Sequence, residues 1–356
     1  MSLDTRSRLH SNAQIEGMRD HLCVDRFMQS FECACALKAA FDLGIIDTLD
    51  SADLIEIPAL IERLRLHHQG ANLLLHVLQS SQVVELTQTS ARLTRAFRHA
   101  LRYRDFMRAK LYFCGLAAAD WLHGIESFAR NPRSFQSQSH TFRAFCYERA
   151  IDRVPENYDP VRNWVRITTA YTKYESRAFL AHIPLDTKRN LLDIGGNSGE
   201  FALRLCKAYP SLQATVVDLP VVCDIGTAHL QSEPEAGRIT FRAANALVDP
   251  LPTRHDIVTF KSMLHDWPDE PARALIAAAW AALDPGGQLA IFERGRIEIP
   301  TTSAPFSLLP SLMFNHCYRD PAFYISALNH LGATSIMTHA IELESPFFIV
   351  SATKAD

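Results

Sequence analysis

Apolar residues recur at helical spacing through the first half of the chain and change to strand-like runs in the second half. FMQSFECACALKAAFDLG carries apolar side chains three and four positions apart and stops at Gly44, the pattern of a buried helix with a glycine end. IPALIERLRL and ANLLLHVLQSSQVVEL continue that periodicity. VVELTQTSARLT then alternates and reads as a short β-hairpin. Three helices followed by a hairpin predict a winged-helix arrangement over residues 1–105. Such a module either binds DNA or packs and dimerises. No dense Lys/Arg stripe lies on the candidate recognition helix, so packing is the stronger expectation. Residues 106–187 are rich in aromatics and arginine, lack a strand series, and are expected to form a helical cap that closes over a site.

From residue 188 the pattern is different. RNLLDIG and QATVVDLP are apolar runs that each end in an acid, and RITFRAAN, HDIVTFKSML and QLAIFER follow. FALRLCKAY and PARALIAAAWAAL are helical stretches between them, and SPFFIVSAT is one more strand near the end. Strands alternating with helices predict an α/β domain over residues 188–356 with a doubly wound, mostly parallel, Rossmann-like sheet. In such sheets ligands bind at the carboxyl ends of the strands, where Asp193, Asp218, Asn245 and His265 fall.

Composition narrows the partners. The formal net charge is −3, which gives no strong pull toward nucleic acid or an anionic membrane. No apolar run approaches the roughly 18 residues of a membrane span, and MSLDTRSRLHSNAQIEG lacks the apolar stretch of a signal peptide. The 8 cysteines form no CxxC pair, which fits reduced apolar fillers in a cytoplasmic protein.

LLDIGGNSGEF is the first chemical signal. Gly195, Gly196 and Gly199 make a tight strand-to-helix turn that lets a ligand approach the backbone. A glycine loop by itself suits a dinucleotide, S-adenosylmethionine (SAM) or no ligand. Asp193 would repel a pyrophosphate but suits an ammonium group, and Asp218 is placed to accept ribose hydroxyls. The pair favours SAM.

LLDIGGNSGEFALRL, TVVDLP, DPLP, FKSMLHDWPDEPARALI and LDPGGQLAIFER, in that order, resemble the class I SAM-dependent methyltransferases of the caffeate and secondary-metabolite O-methyltransferase type. The resemblance covers nearly the whole chain. It implies a homodimer built by the N-terminal helices and a small-molecule substrate. It also implies ribose binding at Asp218 with Leu219 beside it, adenine contacts from Asn245 and Ala246, and Lys261 next to the cofactor. In O-methylating members His265 is the general base, oriented by two acids. Glu293 matches the first. Tyr318 stands where the second is expected, and His316 appears two positions earlier.

That substitution points elsewhere. His265, Asp266 and His316 have the two-imidazole, one-carboxylate composition of a facial metal triad. The trio resembles a branch of the same fold, the metal-dependent C-methyltransferases that act on the β-carbon of 2-oxo acids in secondary metabolism. The resemblance implies a single iron or zinc ion on His265, Asp266 and His316, and Arg149 as the binder of the substrate carboxylate. The metal would act as a Lewis acid on the keto acid. The alternative is a metal-free O-methyltransferase acting on a phenolic small molecule, with His265 as base. Tyr147, Phe145 and Phe314 are candidate pocket residues, although aromatic core is the commoner role for such side chains.

Overall fold

A computed structural model describes residues 17–299 and 304–355. Most of the polar N-terminal stretch read above, residues 1–16, lies outside the described residues. The chain divides into two compact units, Met1–Ile125 with Ile299–Leu312, and Glu126–Glu298 with Met313–Asp356.

The first unit is helical with one small sheet. Its helices are α1 (Phe31–Asp42), α2 (Ile45–Asp50), α3 (Ile57–Arg63), α4 (His68–Ser80), α5 (Arg95–Ala100) and the start of the long α6 (Arg104–Arg130). The apolar spacing explains them. In α4, Ala71, Leu75 and Leu78 fall on one buried face. The expected hairpin is present as antiparallel β2 (Val84–Leu86) and β3 (Ser90–Leu93), with Val84 opposite Leu93. A two-residue strand β1 (Ile55–Glu56) adds to the other edge of β3. Phe27 and Phe97 meet edge to face at 4.8 Å in the core, a favoured ring geometry.

The second unit holds a seven-stranded sheet in the order β6-β5-β4-β7-β8-β10-β9. The strands are β4 (Asn190–Ile194), β5 (Gln213–Asp218), β6 (Ile239–Ala243), β7 (His255–Lys261), β8 (Leu283–Arg294), β9 (Thr334–Glu342) and β10 (Pro346–Thr353). From β6 to β8 all pairings are parallel, and β10 runs antiparallel to both β8 and β9. The helices are α7 (Pro132–Gln138), α8 (His140–Ala144), α9 (Pro155–His182), α10 (Glu200–Ala208), α11 (Pro220–Leu230), α12 (Asp269–Ala282) and α13 (Pro321–His330). Strand side chains alternate between two apolar layers. In β8, Ala290 and Phe292 pack with Phe179 of α9 and Phe201 of α10, whereas Leu289 and Ile291 pack with Ile276 of α12 and Leu328 of α13. Burial on both faces is why these strands read as continuous apolar runs, and each fully buried Leu, Ile or Phe contributes about 1.5–3 kcal/mol. The doubly wound α/β expectation therefore holds, with an N-terminal helical region.

Two strands were not read from the sequence, the two-residue β1 and β9. β9 is an edge strand with mostly exposed side chains, so TSIMTHAIE has no apolar pattern to reveal it. The chain leaves β4 toward β5 and β6, then returns to β7 on the other side. The strand order reverses between β4 and β7, and their carboxyl ends open the crevice that such a reversal creates.

Candidate active site

Every residue singled out for chemistry lies in the second unit. The loop after β4 takes its shape from its glycines. Gly195 has a φ of +67°, a conformation that L side chains rarely adopt. At Gly196 a Cβ would come within 2.6 Å of Asp193 Oδ2 and 2.7 Å of Val216, so no side chain fits. Asn197 also takes a left-handed φ of +57°, which asparagine tolerates better than most residues, and Gly199 precedes α10.

Asp193 is fully buried. Its Oδ1 accepts a hydrogen bond from Thr259 on β7 at 2.8 Å, but Oδ2 has no partner. Burial raises its pKa to about 7. A buried carboxylate oxygen without a donor, aimed at a glycine cradle, has the chemistry to receive a cationic group. At the end of β5, Asp218 accepts from the backbone N–H of Asn197 (2.8 Å) and Leu219 (2.7 Å), and burial lifts its pKa to about 6. A carboxylate has about four lone-pair sites, so two remain for further donors. The residues present thus fit an amino-acid group and a ribose, both of which SAM carries. Asn245 uses its side-chain oxygen to accept from Leu247 N–H at 3.1 Å, and half-buried Ala246 packs against the core. Lys261 does not stand free. Its ammonium donates to Thr172 Oγ1 at 3.1 Å and is paired with Glu175.

HDW follows β7 through Ser262, Met263 and a 3-10 turn over Leu264–Asp266. Glu293 Oε1 accepts the backbone N–H of Met263 (2.8 Å) and Leu264 (2.7 Å), while its Oε2 lies 2.6 Å from His265 Nδ1. One carboxylate therefore closes the turn and orients the ring. With Nδ1–H donated to Glu293, the other nitrogen, Nε2, carries the lone pair, a tautomer assigned from this network. Burial opposes the charged imidazole, but the Glu293 and Asp266 carboxylates outweigh it and raise the His265 pKa. Asp266 Oδ1 sits 3.5 Å from Nε2, and its Oδ2 accepts from the Tyr147 hydroxyl at 2.7 Å. The ring of Tyr318 packs edge-on to His265 at 5.3 Å, filling the place expected for a second acid. Tyr147 also faces Trp267 at 5.9 Å and Trp164 at 5.7 Å, and Phe145 and Phe314 lie 6.0 Å apart, so aromatic rings surround the turn.

The metal triad expected from His265, Asp266 and His316 does not form. His316 sits in a 3-10 turn over Asn315–Cys317. Its Nε2 accepts from the Gln136 amide at 2.7 Å, and burial, with the nearby Arg133 charge, lowers its pKa. Its lone pair is used, His265 Nδ1 is held by Glu293, and among the described residues no three His, Cys, Asp or Glu side chains are grouped to hold a metal. The misleading signal was position along the chain. His316 lies near the expected acid in sequence but points at α7. Arg149, on the turn Tyr147–Ala150, is exposed. Two polar residues of the site had no sequence signal of their own. Tyr147 was read only as a candidate aromatic wall, and Glu175 lies inside a helix where a lone acid looks like a solvated position.

No described helix is long and apolar enough to cross a membrane. A family model described as an O-methyltransferase domain matches residues 156–308, which run from α9 past β8. The 3-hydroxy-5-methyl-1-naphthoate 3-O-methyltransferase of Streptomyces sahachiroi is 27% identical over 260 residues, 72% of each chain. The tetracenomycin polyketide synthesis 8-O-methyl transferase TcmO of Streptomyces glaucescens is 28% identical over 324 residues, 86% of this chain and 89% of that one. The crystal structure of human N-acetylserotonin methyltransferase in complex with SAM superposes with a TM-score of 0.71 at 20% identity, covering 100% of this chain and 99% of that chain, a likeness of fold. None of these supports the 2-oxo acid C-methylating branch suggested by His316. With the glycine cradle and the oriented histidine, they identify the chain as a SAM-dependent methyltransferase whose residues 156–308 match an O-methyltransferase domain.

Proposed function

We propose that the protein methylates a phenolic hydroxyl of an aromatic secondary metabolite, without a metal, and that His265 is the general base. The observation that carries this reading is the His265–Glu293 contact of 2.6 Å, which fixes the tautomer and leaves Nε2 as acceptor. His265 Nε2 takes the phenol proton as the oxygen lone pair moves toward the methyl carbon, and Glu293 holds the imidazolium that results. Bound SAM supplies the electrophilic methyl group. Asp193 receives its ammonium, Asp218 its ribose hydroxyls, and the backbone of Gly195, Gly196 and Gly199 lies against it. Leu219, Asn245 and Ala246 border the adenine, and Lys261 borders the cofactor from the end of β7. Asp266, held by Tyr147, faces the polar end of the substrate, and aromatic rings including Tyr147 and Trp267 stack on its flat body.

Relatives named for a hydroxynaphthoate and for a tetracenomycin polyketide support a polycyclic phenol as the substrate class. Exposed Arg149 is the candidate contact for an acidic substituent on such a molecule. Exposed apolar side chains of the first unit, Phe31, Leu43, Leu54 and Leu73, support a homodimer formed through the N-terminal helices.

The test is methyl transfer from labelled SAM to a panel of hydroxynaphthoates, tetracyclic phenols and 2-oxo acids in the presence of a strong chelator. O-methylated phenols are the expected products. Turnover confined to 2-oxo acids, or dependent on added metal, sinks the reading.

A further inference from the structure

The second unit buries a cluster of charges of which the proposed chemistry uses only Lys261, beside the cofactor. Glu175, on α9, is fully buried. One of its oxygens accepts from Arg294 at 2.6 Å and the other is paired with Lys261. Arg294 also bonds Glu344 at 3.0 Å and stacks over Phe347 at 4.5 Å. Removing such charges from water costs about as much as the pairing returns, so apolar side chains here would give equal or better stability. The cluster therefore has another use, and its position in the sheet suggests which.

Lys261 is the last residue of β7 and Arg294 the last of β8. His265 follows the first by four positions, and Glu293 immediately precedes the second. Between Lys261 and His265 the chain passes through Ser262, whose φ of +50° is left-handed and unfavourable for a non-glycine residue. Such a turn persists only when its surroundings hold it. Its far end is held by Glu293, through the N–H groups of Met263 and Leu264. Its near end is held at Lys261, by Glu175.

We propose that Glu175 is a positioning residue for the His265–Glu293 dyad: by gripping Lys261 and Arg294 together it fixes the two strand ends from which base and acid project. The proposal rests on the reading of His265 as general base. Glu175→Gln keeps the shape and removes the charge. In that variant kcat falls about 10- to 100-fold while KM for SAM stays within about threefold, because a small misplacement of the base costs rate rather than affinity. The far-downfield proton resonance of His265 Nδ1–H, observed by NMR of the whole protein, shifts upfield or broadens away. Glu175→Asp, which keeps a carboxylate, recovers part of both.

Wild-type kcat with an unchanged resonance overturns the proposal, and so does a loss confined to KM for SAM, which would make the cluster a cofactor contact. If Glu175→Gln does not fold, Glu175→Asp decides: a lowered kcat with a shifted resonance supports the clamp, and unchanged values overturn it. The resonance needs no turnover, so an inactive dyad that still responds to Glu175→Gln shows that the general-base reading has failed and the clamp has not.

Discussion

His265 and Asp193 show how one neighbour sets a residue's role. His265 has one nitrogen committed to Glu293, which leaves the other to react. Asp193 has one oxygen committed to Thr259 and the other without a donor. In the free protein that arrangement is costly. The folded pKa of Asp193, about 7, lies above its ordinary 3.8, so folding favours its protonated form. The penalty is absent below the ordinary value and grows as pH rises toward 7. Asp193→Asn is therefore expected to stabilise the cofactor-free protein above pH 7 by about 1–3 kcal/mol, with little change near pH 4. The same change is expected to weaken SAM binding about 10- to 100-fold through loss of the charge pair. Melting curves against pH and calorimetric titration check the two halves, and an Asn variant that binds SAM like the wild type contradicts the assignment. His265 was legible in the sequence from its place after a strand, and Glu293 through the family resemblance. Gln136, which takes the His316 lone pair, was not, because that contact joins positions 180 residues apart.

At the scale of elements, the parallel strands β4 to β8 and the hairpin β2–β3 announced themselves by buried apolar runs and by alternation. β9 did not, because an exposed edge strand needs no apolar face. Helix α9 was read only as part of a helical segment, since Glu175 interrupts its buried face and gains its meaning from β7 and β8. The glycine loop was legible as a turn, and the structure adds the reason for Gly196. Asp193 and Val216 occupy the space a Cβ would need. Gly196→Ala must therefore push the Asp193 carboxylate and the Val216 side chain. We expect it to cost about 1–3 kcal/mol of stability and to lower SAM affinity at least about tenfold, read by thermal melts and SAM titration. Wild-type affinity in Gly196→Ala shows that the ligand does not lie against this loop.

For the whole molecule, fold and cofactor class followed from motif order. The reaction type did not. It turned on whether His316 reaches His265 and Asp266, which is a property of three-dimensional placement. His316 is bonded to Gln136, and the proposed role of His265 as base is tested most directly by its pH behaviour. His265 must be neutral to accept the phenol proton, and the Glu293 and Asp266 carboxylates, against the effect of burial, raise its pKa above the ordinary 6.5. The measurement is kcat/KM for O-methylation against pH, for the wild type and for His265→Ala. An acidic limb of unit slope above pH 6.5 is expected in the wild type. In the variant that limb is lost, with turnover lowered by about 10²- to 10⁴-fold. A wild-type profile flat through this range, or a His265→Ala variant that turns over like the wild type, would contradict it.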